Sequence, residues 1–184
     1  MIFCEFAAQI QIGPNINMRV ILVNILGFVA AAILAPATSS GSEIVHFAGY
    51  SAGTIVVKTN ERRLYYVLDD NKAIRYPVGV GRAGRAWSGS ATIAGKYLEP
   101  DWSPPAAIRR DRPSLPDVIP GGSPNNPMGA AALTLSRGQY AIHGTNAPGS
   151  IGGFVSYGCI RMFNQDIIDL YQRVGFGTSV VVLR

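Results

Sequence analysis

Two side chains of the 184-residue sequence have the chemistry of a nucleophile and its base: His143 and, 16 residues later, Cys159. Cysteine attacks as its thiolate, and a neighbouring imidazole supplies a base and, once protonated, the positive charge that lowers a thiol pKa. Gly158, directly before Cys159, permits a sharp turn and a close backbone approach, so successive N–H groups can point at a developing oxyanion. Arg161, two residues beyond, sets a fixed cation near the site, suited to a substrate carboxylate or to bracing the loop. Together these residues are equipment for acyl transfer. With only two His and two Cys, and no ligand spacing around His46, a zinc site is not expected, no cofactor is implied, and His46 receives no role.

The compartment sharpens the reading of Cys159. Val20 to Ala35 is an apolar run that follows Arg19 and precedes Ala35-Pro36-Ala37, the layout of a secretory signal with its charged, apolar and cleavage regions. The run is short for a membrane span and contains Asn24, although a retained anchor is the competing reading. Met18 beside Arg19 suggests that the start is over-extended. Cleavage after Ala37 would remove Cys4 and leave Thr38 to Arg184, 147 residues, with Cys159 as the single thiol in an oxidising compartment. Loss of Glu5 and Arg19 together keeps the net charge at +5. An apolar content of 48% excludes a disordered polymer, and the size is that of one domain.

The elements that must position these groups read as mostly β. Thr38 to Ala52 is small and polar, and residues 38–53 are read as a linker. Three β-branched and aromatic runs follow, Thr54 to Lys58, Arg63 to Leu68 and Ala73 to Val80, separated by short polar turns; they predict an antiparallel meander. Gly79 to Ser90 is glycine-rich but leads into no helical run and ends in no Lys-Ser/Thr, so it reads as a strand-end loop and not a phosphate cradle. Eight of the 12 prolines lie between Pro100 and Pro127, a density that argues against helix and central strand and for a long excursion, either a lid or a solvated connection. Trp87 and Trp102 fit a groove wall or the core. Ala130 to Ser136, Gln139 to His143 and Ser179 to Leu183 are strands. Asn164 reads as the N-cap of a helix whose buried face is Ile167, Leu170, Tyr171 and Val174, closed by Gly175.

The segment from His143-Gly144 through Ser156-Tyr157-Gly158-Cys159-Ile160-Arg161-Met162 resembles the signature of L,D-transpeptidase catalytic domains, the YkuD family. The resemblance covers about Thr54 to Arg184, with supporting matches at Tyr76-Pro77-Val78-Gly79-Val80-Gly81, Trp102-Ser103-Pro104-Pro105 and Asn126-Pro127-Met128-Gly129. It implies a β-sandwich or barrel-like domain with one helix after the cysteine. It implies Cys159 as nucleophile, His143 as general base and then acid, and the Gly144 carbonyl as the third catalytic element. Tyr157, Gly158 and Cys159 would supply oxyanion N–H groups, with Ser156 and Arg161 among the substrate contacts. The implied substrates are peptidoglycan stem peptides in the periplasm or cell envelope. The acyl group would pass to a second stem peptide, an envelope protein or water; a silent wall-binding module is the non-enzymatic alternative. No nucleic acid partner and no lasting membrane insertion are implied, and the basic charge suits a carboxylate-rich polymer.

Overall fold

The structure, a computed structural model, describes residues 41–69 and 71–184. The proposed signal, Met18 and Cys4 lie outside the described residues, and among those residues no helix is long and apolar enough to cross a membrane. The strands are β1 (Glu43–His46), β2 (Ile55–Lys58), β3 (Arg63–Asp69), β4 (Lys72–Pro77), β5 (Val80–Gly81) and β6 (Gly89–Leu98). Helix α1 (Ala106–Asp111) precedes β7 (Ala131–Leu135), β8 (Ala141–His143), β9 (Phe154–Ser156) and β10 (Ile160–Arg161); helix α2 (Asn164–Arg173) and β11 (Ser179–Leu183) end the chain.

The domain is mostly β with one main helix after Cys159, as the sequence predicts. Nine strands form a sheet in the order β1-β4-β3-β2-β11-β6-β7-β8-β10, and β5 pairs separately with β9. The predicted meander is present: β2, β3 and β4 pair antiparallel through β-branched and aromatic residues that bury Ile55, Val57, Leu64 and Tyr76 completely. Strand β11 closes the arrangement by lying parallel to β2 and antiparallel to β6.

Helix α2 packs Ile167, Leu170 and Val174 into the core, the face its spacing predicts. Ile167 and Leu170 are wholly buried, so truncating either to Ala would cost about 2–5 kcal/mol. The Tyr76 hydroxyl donates to Asp169 on the helix, and Asp169 also pairs with Arg173 one turn on. Lys96 of β6 reaches the other end, where its ammonium donates to the Tyr171 and Val174 carbonyls at 2.8 and 2.5 Å. A cation on the last carbonyls of a helix satisfies orphan acceptors and opposes the helix dipole.

Three local expectations are corrected and one strand is added. The stretch read as a linker holds edge strand β1, paired with β4 from Glu43↔Arg75 to His46↔Lys72, and Phe47 beyond it is buried against Tyr65. Strand β6 was not foreseen, because small residues dilute its alternation. The proline-dense excursion does contain a helix: α1 fits between Pro105, which occupies its N-cap, and Pro113, so no proline sits in its interior. Finally, Phe163 holds the N-cap geometry of α2 without a side-chain bond, Asn164 is the first helical residue, and the helix closes at Val174 and not Gly175.

Candidate active site

The site follows from one strand pairing. Strands β8 and β10 run parallel with Ile142 opposite Ile160 and His143 opposite Arg161. Alternation sends Ile142 and Ile160 into the core, where both are almost fully buried. Ala141 and His143 on β8, Arg161 on β10 and Cys159 directly before β10 are therefore set toward the opposite face. All four line one cavity of about 400 Å³. The 16-residue separation thus collapses to two adjacent chain segments, and the His143 and Cys159 read from the sequence line one cavity.

His143 is 4% exposed, and its Nδ1 lies 2.7 Å from the Gly144 carbonyl oxygen. A carbonyl only accepts, so the Gly144 contact favours the tautomer with the proton on Nδ1, in which Nε2 is the basic nitrogen. Burial, reinforced by the nearby Arg161 charge, pushes the imidazole pKa down to about 4; the Gly144 and Pro127 carbonyls oppose this. Burial also raises the Cys159 thiol, with a backbone hydrogen bond at Ala141 and the Arg161 charge pulling the other way. The expectation that an imidazolium lowers the thiol pKa is thus corrected: near neutrality the resting pair is neutral thiol and neutral imidazole. Low dielectric disfavours the charged form of each.

The turn carrying Cys159 is braced from within. Gly158 has φ +121°, a conformation that side chains rarely adopt, and a Cβ there would lie 2.5 Å from the Tyr140 ring. Its carbonyl accepts the indole N–H of Trp87 at 2.9 Å, and Trp87 stacks on Tyr140 at 5.0 Å between ring centroids. Ser156, 2% exposed, accepts the Gly158 N–H at 3.0 Å and donates to the Cys159 carbonyl at 2.6 Å. The Ser156 hydroxyl and the Gly158 N–H are consequently engaged inside the turn. Ser156 nonetheless lines the cavity, as a substrate contact would, whereas the Gly158 N–H, read from the sequence as an oxyanion donor, is already taken up.

Around this turn the excursion builds a wall. Asp101, Trp102, Ser103, Pro105 and Ile108 line the same cavity, so Trp102 belongs to the groove and Trp87 to its buried support. Asn126 clasps the excursion: its side-chain amide donates to the carbonyls of Pro100, Ile119 and Pro120, and its oxygen accepts the Met128 N–H. Tyr157 donates its hydroxyl to Asp111 of α1, and Arg82 stacks over the Tyr157 ring at 4.1 Å while pairing with Asp111. Arg161 is half-buried, and its Nε is shielded from solvent with no hydrogen-bond partner. The sequence offered no signal for Trp87, Tyr140 or Asn126 in these supporting roles, because each acts through contacts distant along the chain.

The chain belongs to the L,D-transpeptidase catalytic domain family, whose pattern matches residues 52–182. It is 43% identical over 136 residues to a probable L,D-transpeptidase, ErfK/SrfK, of Escherichia coli, a match that covers 70% of this chain and 43% of that protein. The chain therefore corresponds to less than half the length of that relative. An L,D-transpeptidase from Mycobacterium smegmatis shares the fold, with a TM-score of 0.57 and 19% identity over 71% of this chain and 58% of the other. A Brucella melitensis protein described as a probable carnitine operon oxidoreductase is 41% identical, with a TM-score of 0.52 over 77% of this chain and 92% of that one.

Proposed function

We propose that this protein is an exported L,D-transpeptidase that acts on peptidoglycan stem peptides through a Cys159 thioester. The observation that carries the reading is the shared cavity of Cys159 and His143, with Nδ1 of His143 tied to the Gly144 carbonyl. In the first half-reaction the thiol proton passes to Nε2 as sulfur attacks the carbonyl of the third, L-centred diamino acid of a donor tetrapeptide. The tetrahedral oxyanion is received by the N–H groups of Tyr157 and Cys159, since the Gly158 N–H is occupied. Collapse breaks the peptide bond, and Nε2–H protonates the departing amine of the terminal D-alanine. In the second half-reaction Nε2 takes a proton from an acceptor amine, which attacks the thioester and releases the thiol.

Arg161 lines the cavity, and its guanidinium suits a substrate carboxylate. The acceptor is a second stem peptide, giving a 3→3 cross-link, or an envelope protein; the wall formed by the excursion limits access of competing water. Incubating the protein with purified sacculi, followed by mass analysis of muropeptides, tests the proposal. New 3→3 cross-linked species that vanish in Cys159→Ala are the expected result. Tripeptide without cross-links would make the protein a carboxypeptidase, and unchanged sacculi would overturn an enzymatic role.

A further inference from the structure

The Gly144 carbonyl orients His143 only if its own peptide plane is held, and the structure shows what holds it. The amide between Gly144 and Thr145 has its C=O directed at His143 Nδ1, at 2.7 Å, and its N–H directed at Asn164 Oδ1, at 2.9 Å. The two ends of one planar group are thus fixed on opposite sides. The same Oδ1 accepts the Ala130 N–H at 3.1 Å, tying the start of β7 into the junction. The packing has no slack, because a Cβ on Gly144 would stand 2.3 Å from Asn164 Oδ1 and 2.9 Å from the Ala130 nitrogen. Phe163 supplies the helix N-cap geometry, so the Asn164 side chain is released from that duty.

We propose that Asn164 is a positioning residue that sets the Gly144 peptide plane and thereby selects the Nδ1–H tautomer of His143. An N–H that donates well also polarises its own carbonyl, so the Asn164 contact strengthens the acceptor offered to Nδ1. With Nδ1 protonated, Nε2 is free to take the thiol proton; in the other tautomer Nε2 would already carry one and could not act as base. The inference rests on the reading of His143 as general base, but its structural content is separable from activity.

The test is ¹⁵N NMR of the histidines in the full-length protein, with the His46 signals assigned from His46→Gln. Wild type is expected to show His143 protonated at Nδ1 near neutral pH. Asn164→Ala should shift the population toward Nε2–H and slow Cys159 acylation by a tetrapeptide donor by about 10²-fold, the scale of a reacting group misplaced by about 1 Å. Asn164→Asp keeps an acceptor oxygen at the same place, is compatible with a helix N-terminus, and should restore both the tautomer and most of the rate. If Asn164→Ala does not fold, Asn164→Ser, whose oxygen falls short of the Thr145 N–H, gives the same readout. A folded Ala or Ser variant with an unchanged tautomer overturns the proposal. Unchanged acylation in His143→Ala would overturn the functional reading instead, leaving the tautomer result to stand on its own.

Discussion

Replacing Ser156 by Ala removes one buried hydroxyl, and the structure says what that hydroxyl does. It accepts the Gly158 N–H at 3.0 Å and donates to the Cys159 carbonyl at 2.6 Å, at a position 2% exposed. The variant leaves a donor and an acceptor of one turn without their partner. Each orphaned buried group costs about 1–3 kcal/mol, and because both belong to one turn that relaxes jointly the expected total is about 2–4 kcal/mol. For a domain of this size, at roughly 2–4 °C per kcal/mol, the melting temperature should fall by about 5–15 °C. Loosening the turn also misplaces the nucleophile, so kcat for release of D-alanine from a tetrapeptide donor should fall by about 10²-fold with KM nearly unchanged. Ser156→Thr, which keeps the hydroxyl, should recover most of kcat. Thermal melts by circular dichroism and a D-alanine release assay read the two effects. A variant that melts like wild type refutes the brace, and a raised KM at constant kcat would return Ser156 to the substrate contacts.

The buried neutral His143 predicts a pH dependence of stability. Its pKa is about 4 folded and near 6.5 unfolded, so the unfolded chain binds more protons between those values and stability falls as pH drops through that window. The His143 contribution lost is about 3 kcal/mol, so urea melts at pH 7 and pH 4 should show a much smaller difference for His143→Gln than for wild type. With its thiol pushed up by burial, Cys159 should alkylate with iodoacetamide more than ~20-fold faster at pH 9 than at pH 7, a steeper rise than a free thiol gives; a plateau down to pH 5 would reveal an ion pair instead. Asn126→Ala removes four hydrogen bonds of the excursion and should expose residues 100–128 to limited proteolysis, while Cys159 alkylation at pH 9 persists.

Period-two and period-3.6 patterning made the frame legible: the meander β2 to β4, strands β7, β8 and β11, and the α2 face through Ile167, Leu170 and Val174 all stand where residue spacing put them. Strand β6 escaped because Gly89, Ala91, Ala94 and Gly95 carry too little side chain to show alternation, although the strand pairs with both β11 and β7. The edge strand β1 carries little local signal for a different reason, since its residues are largely exposed and its pairing with β4 is decided across 26 to 32 positions of chain. The His–Cys pair was visible because a lone thiol after glycine is unusual chemistry. Its supports were not: the Trp87–Gly158 bond spans 71 residues and the Asn126 clasp joins three carbonyls, and neither leaves a local pattern. Asn164 has the residue type of a helix cap but serves the Thr145 amide, 19 residues away, which a local capping preference does not reveal.

A neutral resting pair places a constraint on how the site works. Charging either group alone in the cavity is opposed by burial, so in the proposed reaction thiolate and imidazolium would be reached together, as sulfur bonds to the substrate carbonyl and the proton crosses to Nε2. The negative charge then moves from sulfur to oxygen in the same event, where backbone N–H groups can receive it. Nucleophile strength in such a site depends on donors already aimed before substrate arrives, because burial leaves little free thiolate to react slowly through a loose geometry. The Ser156–Cys159 turn and the Gly144 peptide are both held by such fixed hydrogen bonds. On the proposed thioester route, the stiffness of these two backbone segments, one under Cys159 and one behind His143, is expected to weigh on the rate more than the basicity of either side chain.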